Sequence, residues 1–397
     1  MLRVLTLSTL FPNAHQPQLG LFVERQPRGL GARDGVEVRV VAPIGLPTWP
    51  RSLHPHYRPL TGLPAHEIWN GLTVHRPRFR VWPKVGQSAA GGSLARALLP
   101  FLKRLRAQFP FDMIDAEFFW PDGVAAMHVA SALGLPFSIK ARGSDIYHWG
   151  DVAGIGEQIV KAAQAADGLL AVSESLKAEM VARGMEVGKI RVHHTGADLD
   201  LYRPRDRGVL KAELDVEGPL IATVGGLIER KGQSYALNAL ARLPEAILLL
   251  VGDGPDRTAL AGEAARLGIA PRVRFLGAQP PDVVARLVAA ADVTLLPTRA
   301  EGIANAWIES LACGTPVVTC DAGGARDVID RPEAGRIVAR DAEALAAAVR
   351  EILADPPPQE VVRQSAERFS WDRNADELHE HLLVCAGRKI PPLRRSG

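Results

Sequence analysis

Several features that mark other protein classes are missing from this sequence of 397 residues. No apolar run approaches the ~18 residues that a membrane-spanning helix needs, and the longest pieces resemble 246–251. Three cysteines are too few for a disulfide framework and lack metal-ligand spacing, which favours a reducing, cytoplasmic setting. The apolar start, 1–10, leads to no small-residue cleavage site, so it predicts a first strand and no signal peptide. We therefore expect a globular cytoplasmic protein.

Acidic residues are absent from one long stretch. From Ile68 to Phe111 there is no Asp or Glu, although the whole chain has 47 basic and 44 acidic residues. The balanced total argues against nucleic acid as a partner, whereas the basic stretch predicts peripheral contact with an anionic membrane surface. A solvated helix face is the alternative interpretation. The stretch contains Arg76, Arg78, Arg80, Lys84, Arg96, Lys103, Arg104 and Arg106, with Phe79, Trp82, Phe101 and Phe109 among them.

Short apolar runs alternate with helical patterns along nearly the whole chain, which predicts βα units and parallel sheets. The pattern begins twice, with an apolar run at 2–8 and again at 220–224, and a glycine-containing loop follows each run. We therefore expect an α/β protein with two Rossmann-like doubly wound domains that face each other across a cleft. The predicted bounds are 1–200 for the N-terminal domain, 205–365 for the C-terminal domain, and 369–397 for a tail that packs back on the first.

The most informative segment runs from Pro297 to Val318. A predicted strand ends in a loop that contains Glu301, and a helix follows from Asn305. Free N–H groups at a helix start, together with the helix dipole, form a site for an anion such as a diphosphate. Glu309 lies about 12 Å beyond Glu301 along a helix axis, so the two carboxylates could accept hydroxyls of a sugar and of a ribose. In the alternative interpretation they are a helix-terminal charge and an exposed helix residue.

A second candidate for phosphate binding is the segment 225–232, GGLIERKG. Two glycines after a strand let the backbone approach a ligand closely, and Arg230 and Lys231 supply cations for a diphosphate leaving group. Because Gln233 follows Gly232, the segment is not a P-loop, and it does not match the GxGxxG dinucleotide motif. An ordinary exposed turn is the alternative interpretation.

In their order these segments resemble the GT-B glycosyltransferases of family 4. Residues 220–330 contain, in sequence, VGGLIERKG, LLLVGDGPDR, RVRFLGAQ, ADVTLLPTRAEGIANAWIESLACGTPVV and DAGGARDVI. The first half contains FPNAHQPQLGLFVERQ, DAEFFWPDGVAA, KARGSDI, AVSESLKAEM and HHTGADLDLYRP, which are similar to the family's N-terminal landmarks. The resemblance covers nearly the whole chain and is to members that build cell-surface polysaccharides from sugar nucleotides.

The resemblance implies a donor site at matching positions of this chain. Lys231 and Arg230 would bind the donor diphosphate, and Glu301 would contact hydroxyls of the donor sugar. Retention of anomeric configuration is implied, with no metal and no cofactor beyond the UDP- or GDP-sugar co-substrate. The other implied donor contacts are Gly20, Gly225 and Gly226 in the two strand-end loops, Gly302, Ile303, Ala304 and Asn305 at the helix start, Glu309 at the ribose and Leu276 at the base.

Three positions depart from the family pattern. Gly226 stands where many relatives carry arginine, residues 195–198 are TGAD where the usual sequence is Asn-Gly-Val-Asp, and the third departure concerns catalysis. Relatives usually carry a histidine near the end of the fourth strand, where this chain has Glu117. Glu117 is predicted to be catalytic, with Lys231 and Glu301, either as a general base or as a hydrogen-bond partner of the donor sugar. The acceptor-side candidates are Asp122, Arg142 and Asp145, and a loop salt bridge is the alternative interpretation for Arg142 with Asp145.

No metal site is predicted. Asp198 and Asp200 have the DxD spacing that binds divalent metals in another glycosyltransferase fold, but a turn cap in the linker is favoured for Asp198. The histidine pairs at 193–194 and 379–381 have no third ligand at metal spacing.

The sequence thus predicts a retaining glycosyltransferase at the cytoplasmic face of the membrane. It would move a sugar from a nucleoside diphosphate to a hydroxyl of a glycan or lipid-linked acceptor, in polysaccharide biosynthesis. Two alternatives stay open, a GT-B sugar-nucleotide epimerase or hydrolase and a catalytically silent nucleotide-sugar-binding protein. The donor sugar, its base, the acceptor, the linkage and the oligomeric state are not determined by these motifs.

Overall fold

Buried apolar strands alternate with helices in both halves of the chain, as the sequence pattern predicts. The computed structural model describes residues 1–17, 19–82 and 86–390. Contacts divide the chain into two units, which are described separately below. The first unit is Met1–Thr195 together with the segment from Trp371, and the second unit is Gly196–Ser370.

The first unit opens with a doubly wound arrangement of strands and helices. Its strands are β1 (Leu2–Leu7), β2 (Val36–Val41), β3 (Ile44–Leu46), β4 (His66–Trp69), β5 (Leu72–His75), β6 (Arg78–Arg80), β7 (Met113–Ala116), β8 (Phe137–Ala141), β9 (Gly168–Ala171) and β10 (Ile190–Val192). Its first helices are α1 (Leu21–Gly31), α2 (Arg58–Thr61), α3 (Ala90–Gln108), α4 (Val124–Leu133), α5 (Ser144–Tyr147), α6 (Gly156–Ala165) and α7 (Glu174–Ala182).

The order of strands in the first sheet is β10-β9-β8-β7-β1-β2-β5-β4, parallel throughout except that β4 runs antiparallel to β5. The strands that follow β1 along the chain lie on one side of it, and β7 and its successors lie on the other. The chain therefore reverses its direction of travel between β1 and β7. Ligands of open α/β sheets bind at such a switch point, beyond the carboxyl ends of the strands.

The second unit repeats this plan with a smaller sheet. Its strands are β11 (Leu220–Val224), β12 (Ile247–Val251), β13 (Val273–Gly277), β14 (Val293–Leu296), β15 (Val317–Cys320) and β16 (Gly335–Val338). Its helices are α8 (Arg207–Glu213), α9 (Gln233–Leu240), α10 (Arg257–Arg266), α11 (Pro281–Ala290), α12 (Asn305–Ala312), α13 (Ala325–Val328), α14 (Ala342–Ala354) and α15 (Gln359–Gln364).

Both faces of the second sheet are buried. Leu220 and Ala222 of β11 belong to the apolar cluster on one face, whereas Ile221, between them, belongs to the cluster on the other. Continuous apolar strands are expected where helices cover both faces of a parallel sheet. The strand order is β13-β12-β11-β14-β15-β16, all parallel, so the switch point of this unit lies between β11 and β14.

The last helix, α16 (Trp371–Cys385), belongs to the first unit. Leu378 and Leu382 lie in one buried cluster with Leu2 and Leu30, so α16 covers the sheet beside α1. The side-chain amide of Asn374 donates to the carbonyl of His194, 2.6 Å away. The predicted tail continues to residue 397, and its last part, 391–397, lies outside the described residues.

The acid-free stretch divides into buried and exposed parts. The side chains of Arg76, Phe79 and Phe109 are buried and are not part of a surface. The predicted cation Lys84 lies outside the described residues. The cations of the stretch with an exposed residue are Arg80 on β6 and Arg96, Lys103 and Arg104 on α3. Within the described part of the chain, no helix is both long enough and apolar enough to cross a membrane.

Candidate active site

The glycine-rich turn of the second unit follows β11, at the switch point. Gly225 has φ of 143°, a value that favours glycine, and its N–H donates to Val251 on the neighbouring strand, at 2.9 Å. Gly232 is also left-handed, and a Cβ there would collide with the carbonyl of Pro297. The amide of Gln233 donates to the carbonyl of Gly226 at 2.9 Å. Backbone contacts thus fix the turn that carries Arg230 and Lys231.

The loop after β14 brings a carboxylate to this cationic turn. Lys231 Nζ lies 2.6 Å from Glu301 Oε1, and Arg230 Nη1 lies 3.4 Å from the same oxygen. Thr298, which the sequence analysis did not select, donates its hydroxyl to Glu301 Oε1 at 3.1 Å. Only 10% of the Glu301 side chain is exposed, so its charge is neutralised by neighbours more than by solvent. The structure therefore joins three predicted donor-site residues in one cluster.

A second glycine pair supports the loop from the other side. Gly323 has φ of 54°, and a Cβ there would collide with the carbonyl oxygen of Glu301. The N–H of Gly324 donates to the carbonyl of Gly302 at 2.9 Å. These glycines belong to the family motif DAGGARDVI but were not among the predicted site residues. Their signal was available, since only Asp321 and Ala322 separate the Gly-Gly pair from the end of strand β15.

The start of α12 lies directly after this loop. Ala304 occupies the N-cap position, and no side chain in the described parts of the chain caps the helix there. The free N–H groups of the first turn are thus available to an anion. Glu309 lies one turn further along α12 and is half-buried. Ile303 is half-buried too, whereas Gly302 is buried.

The predicted base contact is two strands away from β11. Leu276, near the end of β13, is half-buried, and its carbonyl accepts the side-chain amide of Gln279 at 2.6 Å. The carbonyl of Gly277 accepts the N–H of Gly252 at 2.8 Å. Since Gly252 lies beside Gly225, the carboxyl ends of β11, β12 and β13 form one continuous edge.

In the first unit, the loop after β1 ends at Gly20. Gly20 is left-handed, with φ of 59°, and a Cβ there would collide with the carbonyl of Leu10. It is the residue before α1, and Phe22 follows in the first turn of that helix. Tight backbone packing is therefore a sufficient reason for glycine at this position, and its predicted approach to a donor stays a prediction.

Glu117 directly follows β7, at the switch point of the first unit, and is fully buried. Its carboxylate forms an ion pair with Arg142 and also accepts the side-chain amide of Gln26. The guanidinium of Arg142 lies over the ring of Phe22, 4.8 Å from its centroid, and its Nε donates to the carbonyl of Glu117 at 3.0 Å. The structure thus places Glu117 where it can orient Arg142.

A buried lysine extends this network. Lys140 Nζ lies 2.8 Å from Gln26 Oε1 and 2.8 Å from Nδ1 of His193. Nε2 of His193 lies 2.8 Å from the carbonyl of Asn374 on α16 and must donate to it, which leaves Nδ1 to accept from the lysine. Burial, and then Arg142, lowers the pKa of Lys140 to about 7. Asp115 is buried nearby, and burial followed by Glu117 raises its pKa well above the usual range.

The two acceptor-side carboxylates are also buried. Asp122 accepts the N–H of Thr9 at 2.9 Å and its hydroxyl at 3.2 Å, and burial raises the pKa of Asp122 to about 7. Asp145 accepts the backbone N–H groups of Arg142 and Gly143, and burial raises its pKa. Arg142 is therefore tied to Asp145 through its backbone, while its side chain pairs with Glu117 instead of forming the salt bridge considered above.

The DxD spacing in the linker has a local explanation. Asp198 Oδ1 accepts the N–H of Leu201 at 3.1 Å, as the turn-cap interpretation expects. Among the described residues, no group of three or more His, Cys, Asp and Glu side chains is placed to hold a metal ion.

Two family models match the chain, one in each half. The model described as Glycosyltransferase Family 4 matches residues 28–201, and the model described as Glycosyl transferases group 1 matches residues 208–369. A putative teichuronic acid biosynthesis glycosyltransferase, TuaC of Bacillus subtilis, is 27% identical over 95% of this chain and 97% of its own. The D-inositol 3-phosphate glycosyltransferase of Rhodococcus jostii is 34% identical over 57% of this chain and 54% of its own.

Solved structures with the same fold include two that span almost the whole chain. Sucrose-phosphate synthase from Thermosynechococcus elongatus has a TM-score of 0.75 at 21% identity, with 97% of this chain and all of that chain covered. HepE of Anabaena in complex with UDP has a TM-score of 0.75 at 20% identity and the same coverage. A further HepE structure, with UDP-glucose, has a TM-score of 0.71 at 20% identity, again with 97% and 100% covered. At these identities the likeness shows the fold.

Proposed function

Because the chain belongs to the group 1, family 4 glycosyltransferases and has their GT-B fold, we propose that it transfers a sugar from a UDP- or GDP-sugar. The acceptor is a hydroxyl of a glycan or a lipid-linked saccharide in polysaccharide biosynthesis. The transfer retains the anomeric configuration and uses neither a metal nor another cofactor. The observation that carries this proposal is the cluster of Lys231, Arg230 and Glu301 beside the uncapped start of α12.

The second unit supplies electrostatic stabilisation of the departing diphosphate. Lys231 and Arg230 neutralise its charge from one side, and the N–H groups of residues 302–305 at the start of α12 donate to it from the other. Such donors, fixed in advance by the contacts of Gly225 and Gly232, need no reorganisation when charge develops. The UDP-glucose bound by HepE, which shares the fold, supports a nucleotide sugar as donor.

Glu301 has a double role in this proposal. With no ligand it balances the charge of Lys231, at 2.6 Å. When a diphosphate binds to the lysine, the carboxylate becomes free to accept hydroxyl groups of the donor sugar. Glu309 on α12 would accept the ribose hydroxyls, and the backbone at Leu276 would meet the base.

The first unit carries the acceptor in this proposal. Its buried residues contact one another, and the side chains of Glu117 and Gln26 hold the guanidinium of Arg142 in place. We therefore assign Glu117 as a positioning residue for Arg142, in preference to a general base that touches substrate. Asp122 fixes the backbone of Thr9, and Asp145 fixes the backbone of Arg142 and Gly143.

The exposed cations of α3 support a second partner. Lys103 and Arg104 follow Arg96 by seven and eight residues, which is about two helical turns, so the three cations lie on one side of the helix. We propose that this side contacts the anionic lipids at the cytoplasmic face of the membrane, where each cation adds about 1 kcal/mol.

The reaction is tested by incubating the purified chain with UDP-glucose or GDP-mannose, with and without a panel of saccharides and their octyl glycosides. Nucleoside diphosphate release that requires acceptor, with an α-linked product by NMR, is the expected result, and EDTA should not change its rate. Release without acceptor together with an altered or free sugar would instead indicate an epimerase or hydrolase. Tight donor binding with no turnover against any acceptor would indicate the silent protein.

A further inference from the structure

The first unit contains a small cavity that none of the predicted site residues explains. Its volume is about 100 Å³, and it lies at the carboxyl end of the first sheet, between the loop after β1 and the segment after β5. Phe11 and Phe79 are buried in its wall, Arg76 lines it, and Asn13 and Gln16 of the first loop complete it. Nucleotide-sized ligands need about 300–1,000 Å³, so this cavity takes a single small group.

Arg76 is the most unusual residue of this cavity, because its cation is only 1% exposed. Nε lies 2.5 Å from Glu67 Oε1, and Nη2 donates to the carbonyl of Pro12 at 2.7 Å. Nη1 is buried and has no hydrogen-bond partner in the described parts of the chain. A buried charged donor without a partner is costly, and such groups in folded proteins call for a bound water, ion or ligand group.

The charges around the cavity favour an anion as that ligand. Arg78 lies close enough that burial, and then Arg76, lowers its pKa. The carboxylate of Glu67 pairs with Arg76, so the two guanidiniums and this one carboxylate together carry a net positive charge. Among the described residues that line the cavity there is no Asp or Glu. Of the polar groups on the loop side, the buried Asn13 is an amide that can donate to an oxyanion, whereas Gln16 is exposed at the rim.

We propose that this cavity binds a small oxyanion, a carboxylate or a phosphate group of the acceptor, through the guanidinium of Arg76 that lines it. This inference rests on the proposed function, because it names the chemistry of the acceptor. A guanidinium is suited to either group, since its fixed N–H donors match the oxygen spacing of both. An acceptor that carries such a group is thereby distinguished from a neutral saccharide, because an anion both accepts from the buried guanidinium and neutralises its charge, whereas a hydroxyl only accepts.

The test measures binding of three probes to the full chain by isothermal titration, namely inorganic phosphate, D-glucuronate and neutral D-glucose. The chain carries Arg230→Ala and Lys231→Ala, which remove both cations of the proposed donor site and so weaken phosphate binding there. We expect at least one anion to bind and glucose to bind at least tenfold more weakly. Gln16→Glu puts a negative charge at an exposed position of the rim and should weaken anion binding tenfold or more, whereas the neutral control Gln16→Asn should not.

Arg76→Lys, which removes Nη1, should weaken the binding of the same anions. The melting temperature of this variant shows whether it is folded. If Arg76→Lys is unfolded, the comparison of Gln16→Glu with Gln16→Asn alone tests the proposal. Binding of phosphate only identifies a phosphorylated acceptor, and binding of glucuronate only identifies an acidic sugar. The proposal is overturned if neither anion binds, if glucose binds as well as glucuronate, or if Gln16→Glu leaves anion affinity unchanged. UDP-glucose binding by the chain with Arg230 and Lys231 intact tests the donor site separately, so the two proposals can fail independently.

Discussion

Nζ of Lys231 lies 2.6 Å from Oε1 of Glu301, although 70 positions separate the two residues in the chain. The pairing of β11 with β14 brings them together, because the loops that follow these neighbouring strands emerge at the same edge of the sheet. This edge is where the strand order reverses, which is the usual ligand position of a doubly wound sheet. The ion pair therefore marks the centre of the proposed donor site.

Removing the cation should impair transfer. We expect Lys231→Ala to lower kcat/KM about 10²–10³-fold, the usual effect of losing one preorganised group that stabilises developing charge. Nucleoside diphosphate release in the presence of acceptor measures it. The matched control is Arg242→Ala, which removes another cation of the same unit from an exposed ion pair with Glu343 and should keep near-native activity. Equal rates for the two variants would remove Lys231 from the site.

Glu301→Gln should move two properties in opposite directions. Without the carboxylate, Lys231 and Arg230 have no competing anion, so we expect UDP alone to bind several-fold more tightly. Transfer should fall by about 10²-fold, because the sugar hydroxyls lose a charged acceptor. Calorimetry with UDP and initial rates with the UDP-sugar give the two quantities. If UDP affinity falls together with the rate, the carboxylate does not compete with the diphosphate.

Gly323→Ala tests the support of the Glu301 loop. The new Cβ meets the carbonyl of Glu301, so we expect the loop to shift and activity to fall at least tenfold. Gly268→Ala is the control, because Gly268 is also left-handed, with φ of 70°, but a Cβ there has nothing within 4 Å. It should cost only the backbone strain of about 1–2 kcal/mol, with normal activity. If both substitutions change the rate and the melting temperature to a similar extent, Gly323 does not support the Glu301 loop in the way proposed.

Asp122 gives a pH dependence of stability with a definite sign. Its pKa of about 7 in the fold lies above its ordinary value of 3.8, so the folded state binds the proton more tightly than the unfolded state does. The stabilising contribution of the protonated form is complete below about pH 4 and is lost as the pH rises through 7. Urea denaturation should therefore show that the free energy of unfolding of Asp122→Asn, relative to that of the native chain, rises by on the order of 2–4 kcal/mol between pH 4.5 and pH 8.

Other groups titrate in both proteins, so their contributions cancel in the difference in unfolding free energy between Asp122→Asn and the native chain. Lys140 has the opposite sign, because its lowered pKa makes stability rise with pH between about 7 and 10.5. A difference between Asp122→Asn and the native chain that does not change with pH would show that the Asp122 carboxyl titrates normally.

Membrane contact is tested by reversing charge on α3. We expect the native chain to sediment with vesicles of anionic lipid and to remain in solution with neutral ones. Lys103→Glu combined with Arg104→Glu should reduce the bound fraction strongly, since each lost cation costs about 1 kcal/mol. Lys161→Glu combined with Lys177→Glu, a double reversal on other helices of the same unit, is the control for net charge. Equal binding to both kinds of vesicle would contradict the proposal.

Sequence patterns were sufficient for the architecture. Alternating apolar runs and helical segments predict doubly wound sheets, because a strand covered on both faces must be largely apolar, as Leu220–Val224 is at every position but Thr223. The same local logic selected the loops of Lys231 and Glu301 as candidates for phosphate and sugar binding, since a glycine-rich turn and a helix start act on a ligand through their own backbone. The strand and helix pattern and the candidate ligand-binding loops both depend on interactions between residues close in the chain.

The tertiary structure decided which of these residues meet and which are buried. Which strand lies beside β11 is a matter of crossover connections, so neither the contact of Lys231 with Glu301 nor the support from Gly323 can be derived from local pattern. Glu117 and Arg76 are charged residues whose burial no local sequence pattern indicates. Their burial follows from partners distant in the chain, Arg142 for one and the carbonyl of Pro12 for the other, because a charge leaves water only where the assembled fold supplies hydrogen bonds in return.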